Sequence, residues 1–210
     1  YPGSIRDVST LSNLLHYLEA LALTPHLFVM DRGFYSTANL SAMIDQRLNF
    51  LIPLPRTVTL FTDLLAQHHQ PLTALPNSFL FQNDLLCHVK TAVLYNMQPV
   101  YAHLFFDPAR HAEQTQRFVT QLWRAETILH QKTFRHPQDA EQALTAELKG
   151  ATAFFRFTQT GDHVEISRDS LALTRRLEPM GTTVLLTNQA ELERAQVLHL
   201  YRQKDFLEKT

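Results

Sequence analysis

Between residues 26 and 55 the chain alternates short apolar runs with a helical pattern, in the order "HLFVMD", "STANLSAMIDQR", "LNFLIPLP". An unbroken apolar run suits a strand covered on both faces, and the second run is stopped by Pro53 and Pro55. The polar stretch between them carries Ser36 or Thr37 as the N-cap of a helix. Ahead of them, "DVSTLSNLLHYLEALAL" (7–23) repeats Leu11, Leu14, Leu15, Leu18 and Leu21 at helical spacing behind the capping candidates Ser9 and Thr10. Helix, strand, helix, strand is the grammar of an α/β sheet with parallel neighbours, and α/β is the expected fold class.

Further along, "DPARHAEQTQRFVTQLWRAETILHQK" (107–132) predicts a long polar helix with Pro108 in its first turn. "PQDAEQALTAELKG" predicts another, with Gly150 as its C-cap. "ATAFFRFTQTGDHVEIS" reads as a hairpin around Thr160, Gly161 and Asp162, and 79–106 looks rich in strands. The last stretch, from 181, gives a strand "TTVLL", a Thr-Asn turn able to cap, and a helix from about 189 to the end.

At 210 residues, 45% hydrophobic with 14 Phe, the chain can bury a large core. Its 19 basic and 20 acidic residues leave a formal charge of -1, so any contact with DNA must be local. The single cysteine, Cys87, excludes an internal disulfide and a cysteine-based zinc cluster and fits a reducing compartment. There is no secretory signal pattern and no apolar run long enough to span a membrane, so a cytoplasmic location is expected. Tyr1 and Pro2 in place of Met, and "DFLEKT" in a helical pattern at the other end, read as the ends of a piece of something longer.

Two carboxylates are singled out by position. In parallel α/β sheets, ligand sites gather beyond the carboxyl ends of strands. Asp31 stands there, followed by Gly33, with Arg32 and Tyr35 available to a phosphate. On the terminal helix Tyr201, Lys204 and Glu208 share one stripe. Two carboxylates from distant elements are what a phosphoryl-transfer nuclease needs to hold hard divalent cations. Taken singly the residues have plainer readings: Asp31 as a turn residue, Glu208 as a solvated helix residue, Tyr201 as core beside Val197 and Leu198, and Arg32 as partner of a helix carboxylate.

Together, "PGSIRDVSTL", "MDRGFYSTANL", "FLIPL", "VLLTN" and the spacing Tyr, two residues, Lys, three residues, Glu closely resemble the DDE transposases of bacterial insertion sequences. The resembling type carries an insertion between its second and third catalytic residues. The resemblance implies a ribonuclease H-like core, partial here, with a mixed α+β insertion. It assigns 1–54 and 181–210 to the core, leaving 55–180 as the insertion region. It implies metal-dependent cleavage and strand transfer on double-stranded DNA at terminal inverted repeats, by an enzyme that holds two Mg²⁺ or Mn²⁺ ions and works as a homodimer in the bacterial cytoplasm beside the nucleoid. By this match Asp31 is the second catalytic Asp and Glu208 the Glu, both metal ligands, with Tyr201, Lys204 and Arg32 on the DNA.

Two departures accompany the match. The family's motif has Arg where Lys204 stands, which keeps a positive charge but loses the bidentate fork; the motif's closing Lys would fall beyond Thr210. The family's first Asp has no counterpart, because Asp7 heads a helix and does not end a strand. The chain by itself is therefore expected to be inactive. The alternatives are a non-catalytic remnant that binds DNA or a partner, and another ribonuclease H-like nuclease. Among the remaining residues, the eleven histidines show no metal-ligand spacing, Trp123 is expected to anchor the insertion's small core, and Asn39-Leu40-Ser41 matches a glycosylation sequon by chance.

Overall fold

The computed structural model describes residues 27–148 and 150–207; the helix expected over 7–23 lies outside them. The chain divides into two compact units, one made of the residues up to Asp107 and from Thr182 onward, the other of Pro108–Gly181.

The first unit is a mixed α/β structure. Strands β1 (Phe28–Val29), β2 (Phe50–Pro53), β3 (Ser78–Phe81), β4 (Asp84–Tyr95), β5 (Gln98–Phe106) and β8 (Thr182–Thr187) form one sheet in the order β1-β2-β8-β5-β4-β3. Phe28 and Val29 run parallel to β2, beside Phe50 and Leu51, and every other pairing is antiparallel. Helices α1 (Thr37–Asp45) and α2 (Thr59–Leu72) cover one face, and α6 (Arg194–Leu207) covers the other.

Alternation along the strands explains the apolar runs. Phe50, Ile52, Val184, Leu186, Ala102 and Leu104 turn toward Leu40, Met43, Phe61 and Leu64 of α1 and α2. Leu51, Leu185 and Phe105 turn the other way, toward Val197 and Leu198 of α6. All four residues of β2 are buried, so the run shows no polar alternation. Ser36 caps α1, its hydroxyl accepting from the Asn39 N–H at 3.0 Å.

The sheet extends further than the sequence suggests. Residues 55–107, read as part of an insertion, belong to the first unit. The reason is that β5 pairs with β8 from Tyr101 opposite Thr187 to Phe106 opposite Thr182, and β4 and β3 follow through two hairpins. Both hairpins turn on two residues at positive φ, Gln82-Asn83 and Asn96-Met97, the twist that two-residue turns favour.

The Thr187-Asn188 turn has a different task from helix capping. Asn188 accepts from the Phe50 N–H at 3.1 Å and donates to the Leu48 carbonyl at 3.0 Å, while Gln189 donates to the Asn49 side chain at 2.7 Å. The turn bolts β8 to the start of β2, and α6 begins only at Arg194. Asn188→Ala strands a backbone N–H and a carbonyl and is expected to cost about 1–3 kcal/mol, read as a lower urea midpoint at unchanged slope.

In the second unit α3 (Pro108–His130), α4 (Pro137–Glu147), the hairpin β6 (Phe155–Thr160) and β7 (His163–Arg168), and α5 (Ser170–Leu177) surround Leu122, Ala125, Leu129, Phe134, Ala140, Leu144 and Phe155. Trp123 is 70% exposed and does not anchor this core. The inward stripe of α3 runs through Phe118, Leu122, Ala125 and Leu129, and the next position after Leu122 rotates outward. Gly150, at φ +85, does not cap α4, whose C-cap is Leu148; it starts the short 3-10 turn Ala151–Phe154. The hairpin turns at Gly161-Asp162 as the sequence indicates, with Gly161 at φ +59. Among the described residues no helix is long and apolar enough to cross a membrane.

Candidate functional site

Asp31 lies just past β1, where the backbone leaves the sheet and coils into a 3-10 turn over Arg32–Phe34. One carboxylate oxygen accepts from the Arg32 N–H at 2.7 Å, so Asp31 caps the turn that follows it. Asn39, 8% exposed on the inner side of α1, donates to the Phe34 carbonyl at 2.9 Å and ties the far end of the turn to the helix. Sequence reading saw Asn39 only as part of a chance sequon. The overlooked signal was a polar side chain among the residues that α1 buries.

The C-terminal half of α6 returns to this strand end. The Lys204 ammonium lies 3.2 Å from an Asp31 carboxylate oxygen; the Lys204 side chain is 13% exposed and that of Asp31 52%. Two of the residues selected by the motif, from opposite ends of the chain, thus meet. Tyr201, one turn earlier, is half-buried against the cluster of Leu51, Leu185, Val197 and Leu198, with Val29 packed on the same cluster, so its ring helps hold α6 across the sheet. Arg32 is exposed beside Asp31. Tyr35 packs on the opposite core, beneath α1 and α2, where burial and nearby Tyr95 raise its pKa. Glu208 lies outside the described residues.

Partial burial pushes the Asp31 carboxyl upward, but the Arg32 N–H and Lys204 together outweigh it. The net pKa is below the ordinary aspartate value. Among the described residues, the charged group paired with Asp31 is the Lys204 ammonium. The Asp31 carboxyl is therefore ionised at neutral pH. A half-exposed ion pair contributes only about 0–1 kcal/mol, so Lys204 neutralises the carboxylate without locking it away from another cation. Lys204→Met keeps the desolvation and removes the pair, and the Asp31 pKa is expected to rise. A carboxyl carbon NMR titration checks this, and an unmoved pKa would show that Lys204 does not set it.

Among the described residues no three His, Cys, Asp or Glu side chains gather in a group that could hold a metal ion. Asp31 has the chemistry of a ligand for a hard cation, an ionised and accessible oxygen donor, but one carboxylate does not make a two-ion site. No family model matches the chain, and neither a curated protein nor a solved structure matches it.

Proposed function

We propose that the chain is catalytic machinery of a DDE-type transposase, built on a ribonuclease H-like core and acting on double-stranded DNA at the terminal inverted repeats of a bacterial insertion sequence. The observation that supports this reading is the 3.2 Å approach of Lys204 to Asp31. It brings the helix of the Tyr-x-x-Lys-x-x-x-Glu motif to the end of the strand that carries Asp31, and Glu208 follows Lys204 by one helical turn's worth of sequence.

In this reading Asp31 and Glu208, with a third carboxylate, would hold two Mg²⁺ or Mn²⁺ ions. Such ions, when bound, activate the attacking oxygen and stabilise the leaving one. The chain's own residues do the rest. Lys204, whose ammonium lies 3.2 Å from Asp31, supplies the positive charge at this strand end that would face a DNA phosphate. Exposed Arg32 meets the DNA backbone beside it, and Tyr201 fixes α6 by packing. Work in the bacterial cytoplasm, as a homodimer on paired DNA ends, belongs to the same proposal.

The test follows from what a mobile element is, since its ends flank its own gene. A protein supplying all three carboxylates should cut DNA at the borders of its own coding region in Mg²⁺ or Mn²⁺. Border-specific binding without cutting would favour the non-catalytic remnant. Cutting guided by DNA structure, irrespective of those borders, would favour another nuclease.

A further inference from the structure

On α3, Phe118 and Leu122 stand one turn apart and point inward, with Gln121 at the margin of the same face. Across from them are Leu148, past the end of α4, and Phe154, which closes the 3-10 turn Ala151–Phe154. Between these side chains lies a cavity of about 380 Å³. Core packing leaves few voids larger than a water molecule, whereas this volume is that of a small-ligand site. Its deep wall is apolar: Phe118 and Leu122 are buried, and Phe118 meets Phe154 edge to face, with centroids 4.9 Å apart and planes at 76°. At Gly150 the wall is bare backbone at φ +85, where a Cβ would meet nothing within 4 Å.

The polar side chains of the cavity are few and stand on its solvent side. Arg176, exposed on α5, holds its guanidinium carbon 5.9 Å from the Phe118 ring centroid. Elsewhere in this unit Arg117, Arg156 and Arg168 each pair with a carboxylate, those of Glu113, Asp169 and Glu126. Among the described residues no carboxylate pairs with Arg176. The ring therefore steadies a planar fork of donors, set at the mouth of an apolar hollow and suited to a carboxylate. Gln121, also exposed, adds a carboxamide to the same mouth.

We propose that this cavity binds a small carboxylate whose body is an apolar ring or short chain. The body lies against Phe118, Leu122 and Phe154, and the carboxylate takes the Arg176 fork in the two-bond geometry that guanidinium favours. One guanidinium neutralises one negative charge. A phosphate monoester, with about 1.5 to 2 negative charges at neutral pH, would hold a surplus beside an apolar wall, where charge is costly. A mostly apolar hollow with one or two convergent polar groups is the usual build of a small-molecule site. Every residue that lines it belongs to the second unit, so the inference does not rest on Asp31 or on DNA cleavage.

Naphthylacetate and its neutral counterpart naphthylacetamide serve as probes of the 210-residue chain, followed by amide proton–nitrogen NMR. The carboxylate should bind saturably, with a Kd of about 1 mM or tighter for a ligand of this size, and should move the signals of Phe118, Leu122, Ala151 and Phe154. The neutral probe should bind at least about fivefold more weakly, the worth of one hydrogen bond to a charged group. Arg176→Gln should erase that preference by weakening the carboxylate alone. Arg175→Gln, at the exposed neighbour outside the cavity lining, should change neither affinity. Ala151→Leu grows a side chain into the hollow and should weaken both probes at least about tenfold, while signals remote from the cavity keep their parent positions. No saturable binding up to about 10 mM, as when the hollow is filled from within the chain, would overturn the proposal. So would equal affinity for the two probes, a preference that survives Arg176→Gln or is lost in Arg175→Gln, binding that Ala151→Leu leaves intact, or tighter binding of naphthyl phosphate.

Discussion

Asp31→Asn, in a protein that supplies all three carboxylates, is expected to lower DNA cleavage by about a thousandfold or more and to leave affinity for the element's ends within about threefold. Glu208→Gln should do the same. The carboxamide has nearly the shape of the carboxylate it replaces but no charge, and a hard divalent cation needs the charge. The local structure gives reason to expect a clean experiment. The Asp31 oxygen that caps the 3-10 turn accepts from the Arg32 N–H, and an asparagine oxygen can accept the same bond. What disappears is the pairing with Lys204, which at a half-exposed site is worth about 0–1 kcal/mol. Folding is thus nearly unchanged, and a loss of cleavage can be assigned to the metal step. Quantitative cleavage assays beside a mobility-shift titration make the separation. If Asp31→Asn cut DNA at the parent rate, Asp31 would be no more than a turn cap and the catalytic reading of this strand end would be withdrawn.

What the sequence disclosed follows from where its information lies. Phe50 through Pro53 were legible as a buried strand because both faces of β2 are covered, which leaves a local signature. Ser36 was legible as a cap because capping is decided within four residues. The strand content of 79–106 was also visible, but its membership in the main sheet was not, since nothing local says that Tyr101 will lie opposite Thr187. Asn188 was misjudged for the same reason: a Thr-Asn turn before a helix looks like a cap, and only the distant Phe50 and Leu48 make it a bolt. Trp123 looked like core because large aromatics usually are, yet the stripe of α3 is set by Leu122 and Ala125 and leaves it outside. At the candidate site, Asp31 stood out because an apolar run stops on it. That Lys204 pairs with it was not legible, since the family resemblance put Lys204 on the DNA and the contact joins elements far apart in sequence. Asn39, which steadies the turn between them, gave a signal that was read as chance.

Lowering the pH from 7 to 5 is expected to destabilise the first unit by about 2 kcal/mol for each of two histidines. His88 on β4 and His103 on β5 lie on the α6 side of the sheet. Nε2 of the first is 3.1 Å from Nδ1 of the second, and their rings stack at 5.2 Å. His103 is fully buried, and its Nε2 has no hydrogen-bond partner among the described residues. Burial drives both pKa values down from 6.5, to about 3 for His88 and about 4 for His103; Lys90 adds to both, and His103 and Arg194 add further to His88. The unfolded chain therefore takes up these protons first as the solution is acidified. The stability that comes from holding both rings neutral is complete well above pH 6.5 and is lost as pH falls from there toward about 4 for His103 and about 3 for His88. Between pH 7 and 5 the carboxylates that the fold holds below their ordinary values, Asp31, Glu126 and Asp169, stay ionised, so the imidazoles dominate this window. Against a total stability of about 5–15 kcal/mol the loss is large enough to shift a urea midpoint plainly. His103→Phe puts an unprotonatable ring beside Phe105, removes the orphaned nitrogen and spares His88 a cationic neighbour, so the variant should lose about half of the pH dependence and be more stable than the parent at pH 5. Parent and variant falling equally between pH 7 and 5 would show that the acid sensitivity lies elsewhere and that the pair is not the group the fold keeps neutral.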